Sequence, residues 1–503
     1  MRSDRHEEKM KKKSTIGFKI FALIYIIVAI LFSIILLKLN MVPMKYLIMF
    51  FVAIVLMSIL ILPPLLATKG PRLTKWICLF IAIALIAGLG LGTRYMGVTL
   101  STLKDITTVQ KTPTEDYYVV VMDDATYDDK GNEVTPPSLA ELDDIYGLTV
   151  GTYMAQETTY SEAKALLQEK ANVQYEYNEN AFDTVSKLLS GEYKAILVSA
   201  ATYQGYIIES DTVKNQTRIL YTIPIEIEYK DNTSAVDVTK ESFNIFIAGA
   251  DKDNTRSDVN MVATVNPVEH KVLLTSLPRD YYVELPSKGA YDKLTHASLY
   301  GIQESIGAVE KVLGIDINYY VKVNYSSLVS IIDAIGGVDV NSDYTFTTSG
   351  MAKEGLNGYY FVKGMNHLDG KAALAFSRER HSFSNGDMQR NKNQQLVLEA
   401  VIKKATQSTT ILSSYGQILN AVNGNFETNM LQSDMTSIVK KQLEGMPGWD
   451  VEKQSIVGAV GGASCYALGG QYASIVNQNP ESNAMAQDAI VKVMMQKEDE
   501  NAQ

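Results

Sequence analysis

The chain has 503 residues, with 46 Lys and Arg against 56 Asp and Glu, and a formal net charge of −10. That acidic balance, with no basic domain or stripe, argues against a nucleic-acid binder. The two cysteines, Cys78 in an apolar run and Cys465 near the end, give no disulfide framework, and the five scattered histidines show no zinc-ligand spacing.

Residues 1–15 form a basic tail, and three apolar runs follow at Ile16–Leu37, Tyr46–Ala67 and Trp76–Leu91 within a membrane region spanning 16–95. The first two are long enough to span a bilayer; the third suffices if Gly92 and Thr93 are counted. No small-residue cleavage signature follows the first run, so it reads as an anchor rather than a removed signal peptide. The tail and the loop 68–75 (TKGPRLTK) are basic, which places both in the cytoplasm. Three spans then put everything after about residue 95 outside the membrane.

From 105 to 235 the pattern is α/β: strands at 116–122, Leu148–Met154 and Ala195–Ala200, helices at Tyr160–Glu169 and Ala181–Leu189. This reads as a small accessory domain without a phosphate-cradling glycine loop; QYEYNEN (174–180) reads as surface decoration, and Tyr229–Thr239 as a linker.

The main domain occupies 243–485. Strands at Phe243–Ala248, Val259–Val265 and Val272–Leu277 are separated by polar connections carrying Asp251, Asp253, Arg256 and Asp258, and the third runs into Pro278-Arg279-Asp280. Carboxylates suit a hard divalent cation and arginines suit phosphate oxygens, so loops holding both point to a metal-bound, phosphorylated substrate. Helices are predicted at Leu299–Leu313 and Ser326–Ile335, the latter stopped by Gly336-Gly337, with a strand at Tyr319–Val323 between them. Residues 341–366 read as irregular. The stretch Leu368–Phe376 is predicted helical, and Arg378 and Arg380 would point the same way if the chain beyond it is extended. Asp387 is a natural N-cap for a helix over Met388–Thr406, sharing one face with Arg390 and Gln394. Gly461-Gly462 and Gly469-Gly470 read as turns, and 486–503 as an exposed or disordered tail.

The ordered set RSD (256–258), PRD (278–280), DKLTHA (292–297), GGVDV (336–340), RER (378–380) and GDxxRxxNQQ (386–395) resembles the LytR-CpsA-Psr family, and the three spans plus an extra domain look like its capsule-associated branch. The resemblance implies an α/β/α sandwich around a mixed sheet, with a lipid tail in an apolar tunnel. It implies an extracytoplasmic phosphotransferase of the Gram-positive surface, moving a glycopolymer (teichoic acid or capsular polysaccharide) from an undecaprenyl-pyrophosphate carrier to peptidoglycan. Carried over motif by motif, Asp251 and Asp258 would hold Mg²⁺; Arg256, Arg279, Arg378, Arg380 and Arg390, with Gln394 and Lys293, would grip the pyrophosphate. Asp387, with Arg279 and Arg378 beside it, would serve the reacting centre as base or orienting group. The helices 299–313 and 326–335 could line the tunnel or be ordinary core; periodicity fits both. Two alternatives use the same features: hydrolysis of the polyprenyl pyrophosphate, or a regulator of capsule synthesis whose basic tail touches a partner kinase or transport protein.

Overall fold

The computed structural model describes residues 2–107, 114–127, 133–155, 157–227, 236–250, 256–407, 417–418, 421 and 426–495. Asp251, Asp253 and most of the 229–239 linker lie outside the described residues.

Three helices open the chain: α1 (Arg2–Leu39), α2 (Met44–Leu66) and α3 (Arg72–Thr107). Each contains a stretch long and apolar enough to cross a membrane. Leu23, Ile30, Met49, Leu60 and Phe80 face outward, as side chains do when the solvent is lipid. The third run, expected to end near Leu91, continues as helix to Thr107. Its extension is held by packing: Leu100 and Leu103 meet Leu39 and Met41 at the end of the bundle where α1 passes into α2, together with Met435 and Val439 from far along the chain.

The accessory unit is a five-stranded sheet. In chain order its elements are β1 (Thr114–Met122), β2 (Thr149–Tyr153), α4 (Thr158–Ala171), β3 (Gln174–Asn178), α5 (Ala181–Leu189), β4 (Ala195–Ser199), α6 (Ala200–Glu209) and β5 (Thr217–Glu226). The strands lie in the order β3-β2-β4-β1-β5, with β2 parallel to both neighbours. The segment 174–178 is thus an edge strand rather than surface decoration. An edge strand is covered on fewer sides, so a polar, aromatic composition suffices there.

The main domain is built on a six-stranded sheet from β6 (Phe243–Ala250), β7 (Ser257–Asn266), β8 (Lys271–Leu277), β11 (Tyr319–Val323), β14 (Phe426–Thr428) and β15 (Asp450–Ser455), ordered β14-β11-β6-β7-β8-β15. It is mixed: β6 runs parallel to β11 and β8 to β15, and the remaining pairs are antiparallel. Between β8 and β11 lie the hairpin β9 (Tyr282–Leu285) and β10 (Ala290–Lys293) and helix α7 (Ile302–Leu313). After β11 come α8 (Tyr325–Ala334), the paired strands β12 (Val338–Ser342) and β13 (Gly364–Leu368), α9 (Gly370–Arg378) and α10 (Gly386–Ala405). Helix α11 (Gln432–Gly445) precedes β15, and α12 (Pro480–Met494) ends the domain.

Alternation along the strands makes the sandwich. Phe246, Ala248, Val262 and Leu273 point to one face and pack on Ile306, Val309 and Leu313 of α7 and Ile490 and Val493 of α12. Met261, Ala263, Val272 and Leu274 point to the other and meet Leu398 and Ile402 of α10. Burial on both faces is why the strands read as nearly continuous apolar runs.

Several expectations need correction. Helix α12 belongs to this core, so the boundary at 485/486 cuts through a packed helix rather than opening a free tail. Residues 341–366 contain paired strands at 346–347 and 360–361 as well as the end of β12 and the start of β13. Gly461-Gly462 lies inside a strand (Val460–Ser464), whereas Gly469-Gly470 does turn, at φ +59° and +87°. The predicted helix 299–313 is interrupted at Gly301, whose φ of +101° ends one short turn before α7 begins.

Candidate functional site: an arginine-lined end of an apolar cavity

The carboxyl ends of β6 and β11 and the start of β7 meet α8, α9 and α10 around a cavity of about 390 Å³. Its walls divide by chemistry. Ile247, Met261, Val321, Ile331, Leu398 and Val401 make an apolar length, and Asp258, Arg279, Arg378, Arg380, Arg390 and Gln394 make a polar end. Helix α10 runs along it from Arg390 to Val401, eleven residues, or roughly 16 Å at the helical rise.

The polar end is tightly knit. Arg279 Nη1 lies 2.9 Å from Asp258 Oδ1, and the Tyr325 hydroxyl donates to Asp258 Oδ2 at 2.9 Å. The Arg378 guanidinium stacks over the Tyr325 ring, 4.4 Å from its centroid. Asp387 sits at the rim, half exposed, 3.2 Å from Arg390 Nη2 and 3.9 Å from Arg380 Nη1. Asp280 lies 3.5 Å from Arg279 Nε and 3.9 Å from Lys293 Nζ. Gly386 makes one of these approaches feasible: a Cβ there would come within 2.7 Å of the Arg380 carbonyl.

Cations are in excess over what the carboxylates satisfy. Among the described residues, Arg279 Nε, Arg378 Nη1, Arg390 Nε and Arg390 Nη2 are buried without a hydrogen-bond partner. Desolvation and the nearby Arg279 charge push the Arg390 pKa down despite Asp387 and Asp258. Burial opposes ionisation of Asp258 too, but Arg279, Arg390 and the Tyr325 hydroxyl outweigh it and hold its carboxyl below the ordinary 3.8. Buried guanidinium donors without partners are costly, and an anion with several oxygens is what would satisfy them.

The sign of the Asp258 shift fixes a pH expectation. A depressed carboxylate contributes stability that is complete above its unfolded pKa and lost as pH falls through the folded one. The Asp258–Arg279 contact should therefore persist at pH 4 and weaken only below it. The difference in melting temperature between wild type and Asp258→Asn should be constant from pH 7 down to about 4 and shrink under that.

The LytR_cpsA_psr family model matches residues 208–487, more than half of the chain. The chain belongs to the LytR-CpsA-Psr family. Among its relatives, the polyisoprenyl-teichoic acid–peptidoglycan teichoic acid transferase TagU of Bacillus mycoides is 43% identical over 204 residues, 40% of this chain and 64% of that protein. The protein of the same name from Bacillus cereus is 37% identical over 243 residues, 47% of this chain and 76% of that one. The chain thus aligns with just under two-thirds of the first relative's length. Among solved structures, TagT bound to LIIa-WTA aligns at 25% identity over 52% of this chain and 94% of that one, with a TM-score of 0.42.

The LytR-CpsA-Psr motifs converge, with differences in detail. Asp258, Arg279, Arg378, Arg380, Arg390 and Gln394 all line the cavity. Asp387 and Lys293 are outside the lining: Asp387 stands at the rim beside Arg390, and Lys293 connects through Asp280. Arg256 immediately precedes β7, half-buried, and is not among the lining residues. The helix cap falls to Asn385, not Asp387; Asp387 lies in the first turn, where a negative charge complements the helix dipole. Arg378 is the last residue of α9 rather than part of an extended stretch. Of the two helices considered as tunnel walls, α8 lines the cavity, α7 lies in the opposite core, and α10 makes the long wall.

Two contributors escaped the sequence reading. Tyr325 bonds Asp258 and carries Arg378, and its only signal was an aromatic directly after the helix-capping Asn324 at a strand end. Asp280, within the PRD motif, links Arg279 to Lys293.

Proposed function

We propose that this protein transfers a glycopolymer of the teichoic-acid or capsular type from a polyprenyl-pyrophosphate carrier to peptidoglycan at the outer face of the membrane. The observation that carries this reading is the set of buried guanidinium donors that make no hydrogen bond among the described residues and close one end of an apolar cavity. A pyrophosphate answers the first feature and a polyprenyl chain the second, and the names of the relatives agree with both.

The placement of the domain supports the lipid assignment. The apolar end of the cavity follows α10 toward Thr406, whose carbonyl accepts from Gln442 of α11 at 2.9 Å. Helix α11 in turn sits on the bundle: Lys45 Nζ donates to the Glu444 carbonyl at 2.7 Å and Lys440 Nζ to Asn40 at 3.2 Å. The tail end thus faces the spans and the arginine end faces away from them. At about 390 Å³ the cavity is near the lower limit for small-ligand pockets, so it holds a stretch of the chain while the rest stays in the bilayer. With the basic tail and the 68–75 loop in the cytoplasm, the arginine end points to the wall.

In the reaction, the acceptor hydroxyl of peptidoglycan forms a P–O bond to the polymer-bearing phosphorus. The P–O–P bridge breaks, and polyprenyl monophosphate leaves. Arg279, Arg378 and Arg390 neutralise charge on the phosphoryl oxygens, the main demand of phosphoryl transfer. Asp387, at the rim and held by Arg390, is placed to accept the hydroxyl proton. Mg²⁺ fits this site through Asp258, with Asp251 as the proposed second ligand: each Asp258 oxygen accepts one contact and retains a lone pair. When bound, the ion would supply further neutralisation of the pyrophosphate.

The test is mass spectrometry of lipids retained by the full-length protein purified in mild detergent, followed by incubation with peptidoglycan. Retained polyprenyl-pyrophosphate-linked glycopolymer that is converted to polyprenyl monophosphate only with peptidoglycan present, with the polymer-bearing phosphate attached to the glycan, is the expected result. Conversion to the same extent without an acceptor would indicate hydrolysis, and no retained polyprenyl lipid would overturn the reading.

A further inference from the structure

The accessory sheet has its own crevice. Strands β2 and β4 are adjacent and parallel, and their onward connections diverge, the arrangement that leaves a ligand cleft at the carboxyl ends of strands in open α/β sheets. In this chain the crevice is filled by the main domain. The turn Tyr466–Gly469 enters it: the Tyr206 hydroxyl of α6 donates to the Leu468 carbonyl at 3.2 Å, and the Tyr466 hydroxyl bonds Glu157 at the start of α4. Glycines on both sides allow the fit. A Cβ on Gly205 would stand 2.9 Å from the Ala467 carbonyl, and one on Gly469 would stand 2.5 Å from the Tyr206 hydroxyl.

A second contact comes from the tip of the β9–β10 hairpin. The side chain of Lys288 is only 7% exposed; its Nζ is 2.6 Å from Glu115 Oε1, 4.0 Å from Glu157 Oε1 and 5.2 Å from the centroid of the Tyr300 ring. A lysine buried this far between two carboxylates of another domain is a specific latch, because either partner alone would be an uncompensated buried charge.

Both contacts lead to the arginine end of the cavity. The hairpin starts directly after Arg279-Asp280 and ends at Lys293. Its last turn is tied down by Asp292, which is fully buried: Oδ2 accepts from the Ala467 amide at 2.6 Å, while Oδ1 accepts from the Lys293 amide at 2.7 Å and faces His296 Nδ1 at 2.7 Å. The Thr295 amide closes the loop by donating to the Arg279 carbonyl at 2.7 Å.

We propose that the accessory domain is an intramolecular clamp. Its crevice takes the 466–469 turn of the same chain as a built-in ligand, Lys288 latches the two domains, and Asp292 relays that docking to the backbone of Arg279 and Lys293. This rests on the transferase reading above, for which Lys288 and Asp292 are positioning residues rather than catalytic ones.

The experiment compares full-length wild type with Lys288→Met, Lys288→Arg and the milder pair Tyr206→Phe/Tyr466→Phe, using a short-chain polyprenyl-pyrophosphate saccharide and soluble peptidoglycan fragments. Lys288→Met is expected to raise the donor KM about tenfold or more while leaving the acceptor KM unchanged. Lys288→Arg should recover much of the donor KM, and Tyr206→Phe/Tyr466→Phe should shift it in the same direction by a smaller factor. Kinetic constants for active protein that match wild type in both Lys288→Met and the tyrosine pair would overturn the proposal. So would a loss confined to the folded fraction, with donor KM unchanged. If Lys288→Met does not fold, the tyrosine pair decides alone by the same criterion. Wild-type protein that transfers nothing would instead defeat the transferase reading.

Discussion

Replacing Arg390 with Met is expected to stabilise the protein while nearly abolishing transfer. Arg390 is buried, its Nε and Nη2 make no hydrogen bond among the described residues, and desolvation and Arg279 both work against its charge. Its close ionic partner among the described residues, Asp387, is half exposed and screened by solvent. Replacing buried ion pairs by apolar side chains often gains about 1–4 kcal/mol, and the partners that Arg390 leaves behind stay compensated: Asp387 is solvated, and Asp258 keeps Arg279 and the Tyr325 hydroxyl. The same donors are what the pyrophosphate would use, and loss of one preorganised donor for developing charge typically costs about 10²–10³ in rate. Thermal melting of wild type and Arg390→Met, with and without inorganic pyrophosphate, checks both halves. The variant should melt higher without ligand and gain little from pyrophosphate, whereas wild type should gain clearly, because only a state that binds the ligand is stabilised by it. A variant that melts lower, or still transfers at the wild-type rate, would show that Arg390 is a structural cation.

That trade-off explains which parts of the site were legible in the sequence. The arginines stood out because charged residues at the ends of apolar strands and helices have few structural uses. Asp258, Arg279, Arg378, Arg380, Arg390 and Gln394 indeed meet, although the chain brings them from four separate elements. The strands 243–277 were legible because burial on both faces leaves unbroken apolar runs, and Gly336-Gly337 because the chain turns there at φ +77° and +79°. What could not be read depended on tertiary context. Ser377 and Arg378 continue α9 in tertiary contact, Ser377 buried with its hydroxyl donating to the Leu374 carbonyl at 3.0 Å and Arg378 stacked over the Tyr325 ring; sequence shows only an arginine pair after a helix. Tyr325 looked like any aromatic beginning a helix. Helix α12 looked like a tail because its buried stripe, Ala486, Ile490 and Val493, is interleaved with polar residues, and nothing local says that α7 waits on the other side. The docking of α11 on the bundle involves partners some 400 positions apart in sequence, beyond any periodic pattern.

The second large effect concerns the apolar wall. Val401 lines the cavity near the end that faces the spans, about 16 Å along α10 from Arg390. A Trp at this position would fill part of that end. Overpacking a well-filled site costs typically about 1–3 kcal/mol, but Val401 is half-buried beside open volume, so the fold should bear the change. The arginine end is untouched. Val401→Trp is therefore expected to discriminate by tail length: transfer from an undecaprenyl-linked donor should fall at least tenfold, and transfer from a geranyl-linked donor, whose tail ends before this position, should stay near wild type. Competition kinetics with both donors in one mixture measures the ratio directly and cancels differences in the amount of active protein. Equal loss for both donors would mean that the substitution damages the fold or the arginine end. Equal retention would mean that the long tail leaves the protein before reaching Val401, by a route on the other side of β11 and β14.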